Sequence, residues 1–391
     1  MMQKKHNTIL VFFLTFLIFI AGVERAAAPQ GPNQLHLYLK QGIEKAFNLE
    51  PLIANTYLQK AVALDRDNPI GYAFLSLAHL FAYEMSFDVK EREYYQQSML
   101  YYVNETLARG ENAIRNNSQN DNAYLSMALA KIAKVRWAVT QNSFLVVAQE
   151  TSNIWGYLEK AKEDPHNYDI YFPRGLLHYH IDHLPGVARV FSAMFITSGD
   201  RTKGLQELEW AAQQGDLLKD IARSELVVVY ANFEKQPARA LPIVRELKGK
   251  FPRNYNFSFA LGNILSDLHR FDEAFALARE IDKNIQSGKD PYVPHLKPRY
   301  DLLMGRILFS QLEYDKAVEY FQRSLGDTSP YNARVRAWAF VRLGMIHDAR
   351  KEREKAEDYY NNALIVGGGE GAAQVEARKY LKKPYVPEPK S

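Results

Sequence analysis

Three histidines and one aspartate stand together near the middle of the chain, and these residue types bind metal ions. The stretch reads His178, Tyr179, His180, Ile181, Asp182, His183. Apolar residues on both sides recur at helical spacing, and on a helix His178 and His180 point about 200° apart. The four candidate ligands therefore cannot meet at one ion. We expect histidines that pack between helices, with an adventitious ion at His180 and His183 as an alternative.

The order His-x-His-x-Asp-His is also similar to the metal-binding signature of the metallo-β-lactamase-like hydrolases. In that family the motif follows a β-strand, and further ligands come from later strands. This sequence has no convincing run of alternating β-branched residues bounded by turns. We therefore predict no catalytic residue, no metal and no cofactor. A metal-dependent hydrolase that uses residues 178–183 stays open as the alternative function.

A glycine-rich run near the C-terminus could in principle cradle a phosphate. Val366–Gly371 contains four glycines. It lacks the preceding strand and the Lys-Ser/Thr pair that phosphate-binding loops use. The run instead predicts the end of a helix and a joint into a last polar helix over residues 372–382, which would cap an array of helices.

The overall composition excludes several kinds of chemistry. The 391 residues include no cysteine, so disulfides, thiolate catalysis and cysteine-ligated metals are excluded. Forty-nine Lys and Arg against 45 Asp and Glu leave a net charge of +4, which is too mild to indicate nucleic acid binding. We therefore expect a protein or peptide partner and no nucleic acid.

The N-terminus has the layout of an export signal. Lys4 and Lys5 precede the apolar run Ile9–Ile20, and Ala26, Ala27 and Ala28 follow it. The run is about twelve residues long, which fits a signal peptide better than a membrane span. We predict cleavage after residue 28 and a periplasmic or secreted protein. An uncleaved N-terminal anchor is the alternative, and it would be the protein's one contact with a membrane.

Small and aromatic residues recur along the C-terminal half at a fixed period. Gly305 is followed by Ala317, Phe321 and Ser324, and the same order returns 39 residues later. The second copy consists of Gly344, Ala356, Tyr360 and Ala363. Weaker copies lie upstream, at Gly262, Ala240, Gly204 and Ala54. Such a period indicates stacked helix pairs, in which small residues lie where two helices approach closely.

This spacing resembles the tetratricopeptide repeat (TPR). The resemblance implies an all-α, TPR-like α-solenoid: a right-handed superhelix of six or seven antiparallel helix pairs, irregular between residues 86 and 172. We also expect the β-prone run Leu226–Tyr230 to be a buried helix. Asp200 is expected to be the N-cap of the helix that begins directly after Asp200.

The central part, Tyr168–Asn254, is similar to exported bacterial TPR proteins and to the inclusion-body-clearance (tetratricopeptide thirty-nine) family. The resemblance rests on Arg174-Gly175-Leu176-Leu177, Leu184-Pro185-Gly186, Ser198-Gly199-Asp200-Arg201, Gly204-Leu205, Leu208 and Phe251-Pro252-Arg253-Asn254. It implies non-catalytic work on other proteins. We divide the chain into a signal peptide (1–28), irregular TPR-like repeats (29–172), the central region (173–254), C-terminal TPR repeats (255–366) and a capping helix with a proline-containing tail (367–391).

In stacked helix pairs the first helices line the concave surface. Arginine and tryptophan projecting there suit a peptide carboxylate or an acidic, aromatic segment. The function we predict is a non-catalytic interaction scaffold of the bacterial cell envelope. A solenoid that binds a small ligand or glycan is a further alternative. The candidate binding residues are Asn263, Arg299, Arg306, Phe309, Trp338 and Arg342.

Overall fold

The computed structural model describes residues 32–141, 143–161, 167–181, 199–366 and 371–387. Across these ranges the chain forms α-helices and no β-strand. The N-terminal helices are α1 (Pro32–Phe47), α2 (Pro51–Leu64), α3 (Pro69–Met85), α4 (Val89–Asn116), α5 (Asp121–Thr140), α6 (Phe144–Lys160), α7 (Tyr171–His180) and α8 (Arg201–Gln214). The remaining helices are α9 (Lys219–Val228), α10 (Pro237–Lys250), α11 (Tyr255–Asp267), α12 (Phe271–Gln286), α13 (Lys297–Ser310), α14 (Tyr314–Ser324), α15 (Ala333–Ala349), α16 (Arg353–Ile365) and α17 (Ala372–Lys382).

Successive helices pack in pairs, from α1 with α2 to α15 with α16, and α17 covers the last pair. The first helices of neighbouring pairs also touch, as α11, α13 and α15 do. The chain is thus an all-α, TPR-like solenoid, as predicted. The described residues form eight pairs, where the sequence predicts six or seven. The difference arises because residues 86–172 lack the small-aromatic spacing and still form α4, α5 and α6.

Five of the eight connections inside the pairs share one backbone geometry. Four are three-residue links, the fifth is the three residues that follow the π-helical turn Val229–Phe233, and in all five the middle residue has a positive φ of 53–65°. None of the five middle residues is a glycine or an asparagine, which are the types that favour this left-handed region. The repeated turn is therefore visible in the structure but not in the sequence. The five residues are Leu49, Lys235, His269, Leu312 and Lys351.

The glycines of the two clear repeats make room for an aromatic ring. A Cβ at Gly305 would lie 2.5 Å from Cε1 of Phe321, and a Cβ at Gly344 would lie 2.5 Å from Cε1 of Tyr360. Both rings are fully buried. Each aromatic side chain packs onto the glycine of its own pair. The period therefore reflects close packing inside each pair as well as stacking between pairs.

The N-terminal pairs pack against the C-terminal half of the solenoid. Phe47, at the end of α1, lies edge-on to Phe251 at 5.1 Å, and the Asn254 amide donates to the Phe47 carbonyl at 2.7 Å. Phe87, after α3, stacks on His295, with ring centroids 5.4 Å apart. Lys40 forms an ion pair with Asp216 at 3.0 Å. The array thus turns back until its first two pairs meet later ones.

Two local predictions can be compared with the structure. Asp200 caps α8 as predicted, because its Oδ1 accepts from the Lys203 amide at 2.9 Å. The run Leu226–Tyr230 is helical, as predicted, and from Val229 to Phe233 it takes the wider π-helical form. The predicted signal peptide, Asp182, His183 and the glycines at 367–369 lie outside the described residues. No helix in the described ranges has both the length and the apolar character to cross a membrane.

Candidate functional site

The six candidate binding residues lie on the first helices of three consecutive pairs. Asn263 is on α11, the next three candidates are on α13, and Trp338 and Arg342 are on α15. These three helices contact one another in order. The fold therefore brings the predicted residues onto neighbouring helices. We call the part formed by Arg299, Arg306, Trp338 and Arg342 the arginine surface.

Arg306 is already paired within the protein. Its Nη2 lies 2.6 and 2.7 Å from the two carboxylate oxygens of Asp267, at the end of α11. Most of the charge of Arg306 is thus balanced across the α11–α13 contact. The sequence pattern did not identify Asp267. It lies 39 residues before Arg306 on a neighbouring helix pair, and no local pattern links the two residues.

Arg299 has a different environment. Its Nη1 donates to Oδ1 of Asn256 at 2.6 Å, and its guanidinium lies over the Phe259 ring at 4.4 Å. Burial lowers the pKa of Arg299 to about 10, and the positive charge of Arg334 acts in the same direction. Among the described residues no carboxylate forms an ion pair with it. Its charge is therefore stabilised mainly by the side-chain amide of Asn256 and the ring face of Phe259.

Arg342 is similar. Its guanidinium lies 5.2 Å from the ring centroid of Phe309 and 5.8 Å from that of Trp338, and Nη1 approaches the Met345 sulfur at 3.5 Å. Burial lowers the pKa of Arg342, and the like charge of Arg306 adds to that effect. The arginine surface thus holds three guanidinium groups and one ion-paired carboxylate, Asp267, over the part of the chain that the structure describes.

The aromatic members of the candidate set differ in exposure. The Trp338 side chain is half-buried, whereas Phe309 is 6% exposed. The Phe309 ring is covered by Tyr314 and by Tyr385 from the segment after α17, with centroid distances of 5.6 and 5.9 Å. The sequence pattern placed Phe309 on an open surface and gave no sign of this cover. Asn263 is half-buried on the adjoining helix.

The histidines of the central motif bind two different carboxylates. His178 Nδ1 lies 2.5 Å from Glu207 on α8, and His180 Nε2 lies 2.8 Å from Glu225 on α9. The two rings thus point to different helices, as the helical reading predicts. No cluster of three or more histidine or acidic side chains suited to a metal ion occurs within the described ranges.

The basic residues of α5 form ion pairs. Lys131 and Lys134 each donate to Glu150 at 2.5 Å, and Lys131 and Glu150 are both buried. Burial alone would raise the pKa of Glu150, but the hydrogen bonds from the two lysines outweigh it and lower the pKa. Arg136 binds Glu84 of α3 through two contacts of 3.0 and 2.8 Å. These residues join neighbouring elements of the scaffold.

Comparison with known proteins identifies similar folds and no family. No family model matches the chain, and no curated protein matches it. A tetratricopeptide repeat protein from Parabacteroides merdae is 14% identical, with 76% of this chain and 97% of that chain covered and a TM-score of 0.30. The human IFIT1 dimer with m7Gppp-AAAA is 11% identical, with 90% and 88% covered and a TM-score of 0.44. At these identities the likeness is one of architecture alone.

Proposed function

We propose that this protein is a non-catalytic scaffold that binds a segment of another protein at the arginine surface. The observation that carries the proposal is the state of Arg299 and Arg342. Both side chains are half-buried, burial lowers the pKa of both, and neither forms an ion pair with a carboxylate among the described residues. A partly desolvated cation without an ion-paired carboxylate is costly, and an arriving anion removes part of that cost. The surface therefore favours an anionic partner group.

The chemistry of the surface indicates a carboxylate next to an apolar or aromatic side chain. A guanidinium presents paired donors that match a carboxylate, and Trp338 offers a half-exposed ring beside Arg342. Nucleic acid backbones are bound by many basic side chains along a stripe. A site with two arginines that form no ion pair among the described residues suits one or two carboxylates of a peptide better. We also propose, on the short motifs of residues 168–254, that the central region is related to the inclusion-body-clearance family, which would imply a protein-directed role.

The test compares capture of a partner by matched variants. The purified wild type and a double variant, Arg299→Gln with Arg342→Gln, are each immobilised on beads and incubated with extract of the native host. We expect at least a tenfold loss of the captured polypeptide, with an unchanged helical circular-dichroism signal. Arg279→Gln, at an exposed position of α12, is the control and should capture as the wild type does. Arg306 is not substituted, because losing its charge would break the ion pair with Asp267. Equal capture by both variants contradicts the proposal.

We also propose that the protein is exported, because its first 28 residues have the layout of a signal peptide. Mass spectrometry of the N-terminus from the envelope fraction tests this. A mature chain that begins at Pro29 supports cleavage, and an intact Met1 in that fraction supports the uncleaved anchor. Recovery in the cytoplasm alone contradicts export.

The absence of catalysis is part of the proposal. It is supported by the separate glutamate partners of His178 and His180. Metal analysis of the purified protein tests it, because a metal-dependent hydrolase would contain stoichiometric zinc that is lost in His180→Ala.

A further inference from the structure

The segment after α17 turns back onto Phe309, which lies beside Arg342 of the arginine surface. The backbone amide of Tyr385 donates to Oδ2 of Asp348, at the end of α15, at 2.8 Å. The Tyr385 ring lies 5.9 Å from the Phe309 ring and edge-on to Tyr380 at 5.5 Å. We call residues 383–387 the tail. The tail thus reaches across the end of α15 to a ring on α13.

The tail is attached to a part of the fold that is anchored independently of it. Arg353 donates to the Leu381 carbonyl at 2.8 Å, and the buried Gln374 amide donates to the carbonyls of Ala363 and Val366. These bonds hold α17 against α16. Asp348 also accepts from Arg353 and from the Tyr360 hydroxyl. Removing the Tyr385 ring would therefore leave the last pair and its capping helix in place.

Within the tail, Tyr385 is the residue whose ring lies against Phe309. Val386, the next residue, is 71% exposed. Phe309 in turn lies directly beside Arg342, with the guanidinium 5.2 Å from its ring centroid. An aromatic ring of the chain itself thus occupies the apolar position next to an arginine that has no ion-paired carboxylate in the described residues. A partner segment carrying an aromatic side chain and a carboxylate would meet these same two groups.

We propose that the tail is an intramolecular ligand that covers Phe309 beside the arginine surface, and that a partner of that surface binds by replacing Tyr385 on Phe309 with an aromatic side chain of its own. This inference rests on the proposed function. A tethered segment has an effective concentration in the millimolar range, so a weak contact suffices to keep it bound. A partner then binds with an affinity reduced by the fraction of molecules in which the tail has left. The two ring contacts of Tyr385, with Phe309 and with Tyr380, together correspond to roughly a 10- to 100-fold reduction.

The first measurement needs no partner. Hydroxyl-radical footprinting with mass spectrometry reports the solvent exposure of Phe309 in the full-length chain. We expect strong protection in the wild type and severalfold more oxidation in Tyr385→Ala. Val386→Ala, which alters the exposed neighbour, is the matched control and should resemble the wild type. If Phe309 stays equally protected in Tyr385→Ala, the tail does not cover it and the proposal is wrong.

The second measurement tests whether the cover is exchangeable. A synthetic peptide of residues 383–391 is added at millimolar concentration to Tyr385→Ala. We expect Phe309 protection to return, and a peptide with alanine in place of the tyrosine should have no effect. Failure of the unaltered peptide to restore protection overturns the proposal. It would mean that the tyrosine ring covers Phe309 only when it is covalently part of the chain, so a partner could not replace it. In the bead assay Tyr385→Ala should capture about tenfold more partner.

The two proposals fail in different ways. If Arg299→Gln with Arg342→Gln leaves capture unchanged, the proposed function is wrong, while the footprint of Phe309 still reports on the tail. If Tyr385→Ala leaves both the footprint and the capture unchanged, the tail is not a competing ligand, while the arginine surface can still bind its partner.

Discussion

Gly344→Ala provides a direct test of why the repeat needs a glycine. Gly344 lies in α15, and a Cβ there would stand 2.5, 2.7 and 2.8 Å from three carbon atoms of the Tyr360 ring. Ordinary carbon contacts are about 3.5–4.0 Å, so the ring would have to move by about 1 Å. Tyr360 is fully buried and its hydroxyl donates to Asp348 at 2.8 Å, so it has little freedom to move.

Two opposing effects set the magnitude. Alanine favours a helix over glycine by about 1 kcal/mol, which stabilises the variant. Overpacking in a closed core costs about 1–3 kcal/mol, and shifting the ring weakens its hydrogen bond to a carboxylate, worth about 1.5–3 kcal/mol. We therefore expect Gly344→Ala to lower the free energy of unfolding by about 1–2 kcal/mol. Gly156→Ala, in α6, is the matched control, because no atom lies within 4 Å of its added Cβ. It should stabilise the protein by about 0.5–1 kcal/mol.

Urea denaturation followed by circular dichroism measures both variants. Because repeat arrays can unfold in parts, hydrogen exchange in α15 and α16 is the local readout, and Gly344→Ala should accelerate it there. Tyr360→Leu removes the ring that the new Cβ would meet. Adding Gly344→Ala to that variant should therefore lower the free energy of unfolding by less than it does in the wild type. A Gly344→Ala protein as stable as the wild type, or a Gly156→Ala protein destabilised equally, would refute the packing argument.

Two further predictions concern a buried histidine and a strained link. Burial lowers the pKa of His79 from 6.5 to about 4, so the folded protein keeps this ring neutral while the unfolded chain gains a proton. Its contribution to stability is full above pH 6.5 and is lost as the pH falls towards 4, by at most about 3 kcal/mol. The difference in stability between the wild type and His79→Phe, measured by denaturation from pH 7 to 4, should shift by that amount; a constant difference contradicts it. Lys235 has φ of 53°, so Lys235→Gly should stabilise the protein by about 0.5–1 kcal/mol in the same melts, and a destabilised variant would disprove the strain.

Short-range patterns in the sequence predict the secondary structure and the repeat. The order Gly344, Ala356, Tyr360, Ala363 follows from contacts within one helix pair, so residues close in sequence are enough to detect it. The same is true of the Asp200 cap, which involves residues three apart. The helical interpretation of the central motif also predicted that His178 and His180 point apart, because side-chain direction on a helix depends on position alone.

The sequence by itself therefore determined an all-α array of stacked pairs and the three helices that carry the candidate residues. Only the tertiary structure decided which of those residues are available. Arg306 is balanced by Asp267, Phe309 is covered by Tyr385, and Arg299 and Arg342 lack an ion-paired carboxylate among the described residues. The contact of Phe47 with Phe251 likewise could not be predicted from the sequence. The physical reason is that helical periodicity records which face of a helix is apolar, whereas these contacts join separate helices and depend on how the whole array turns.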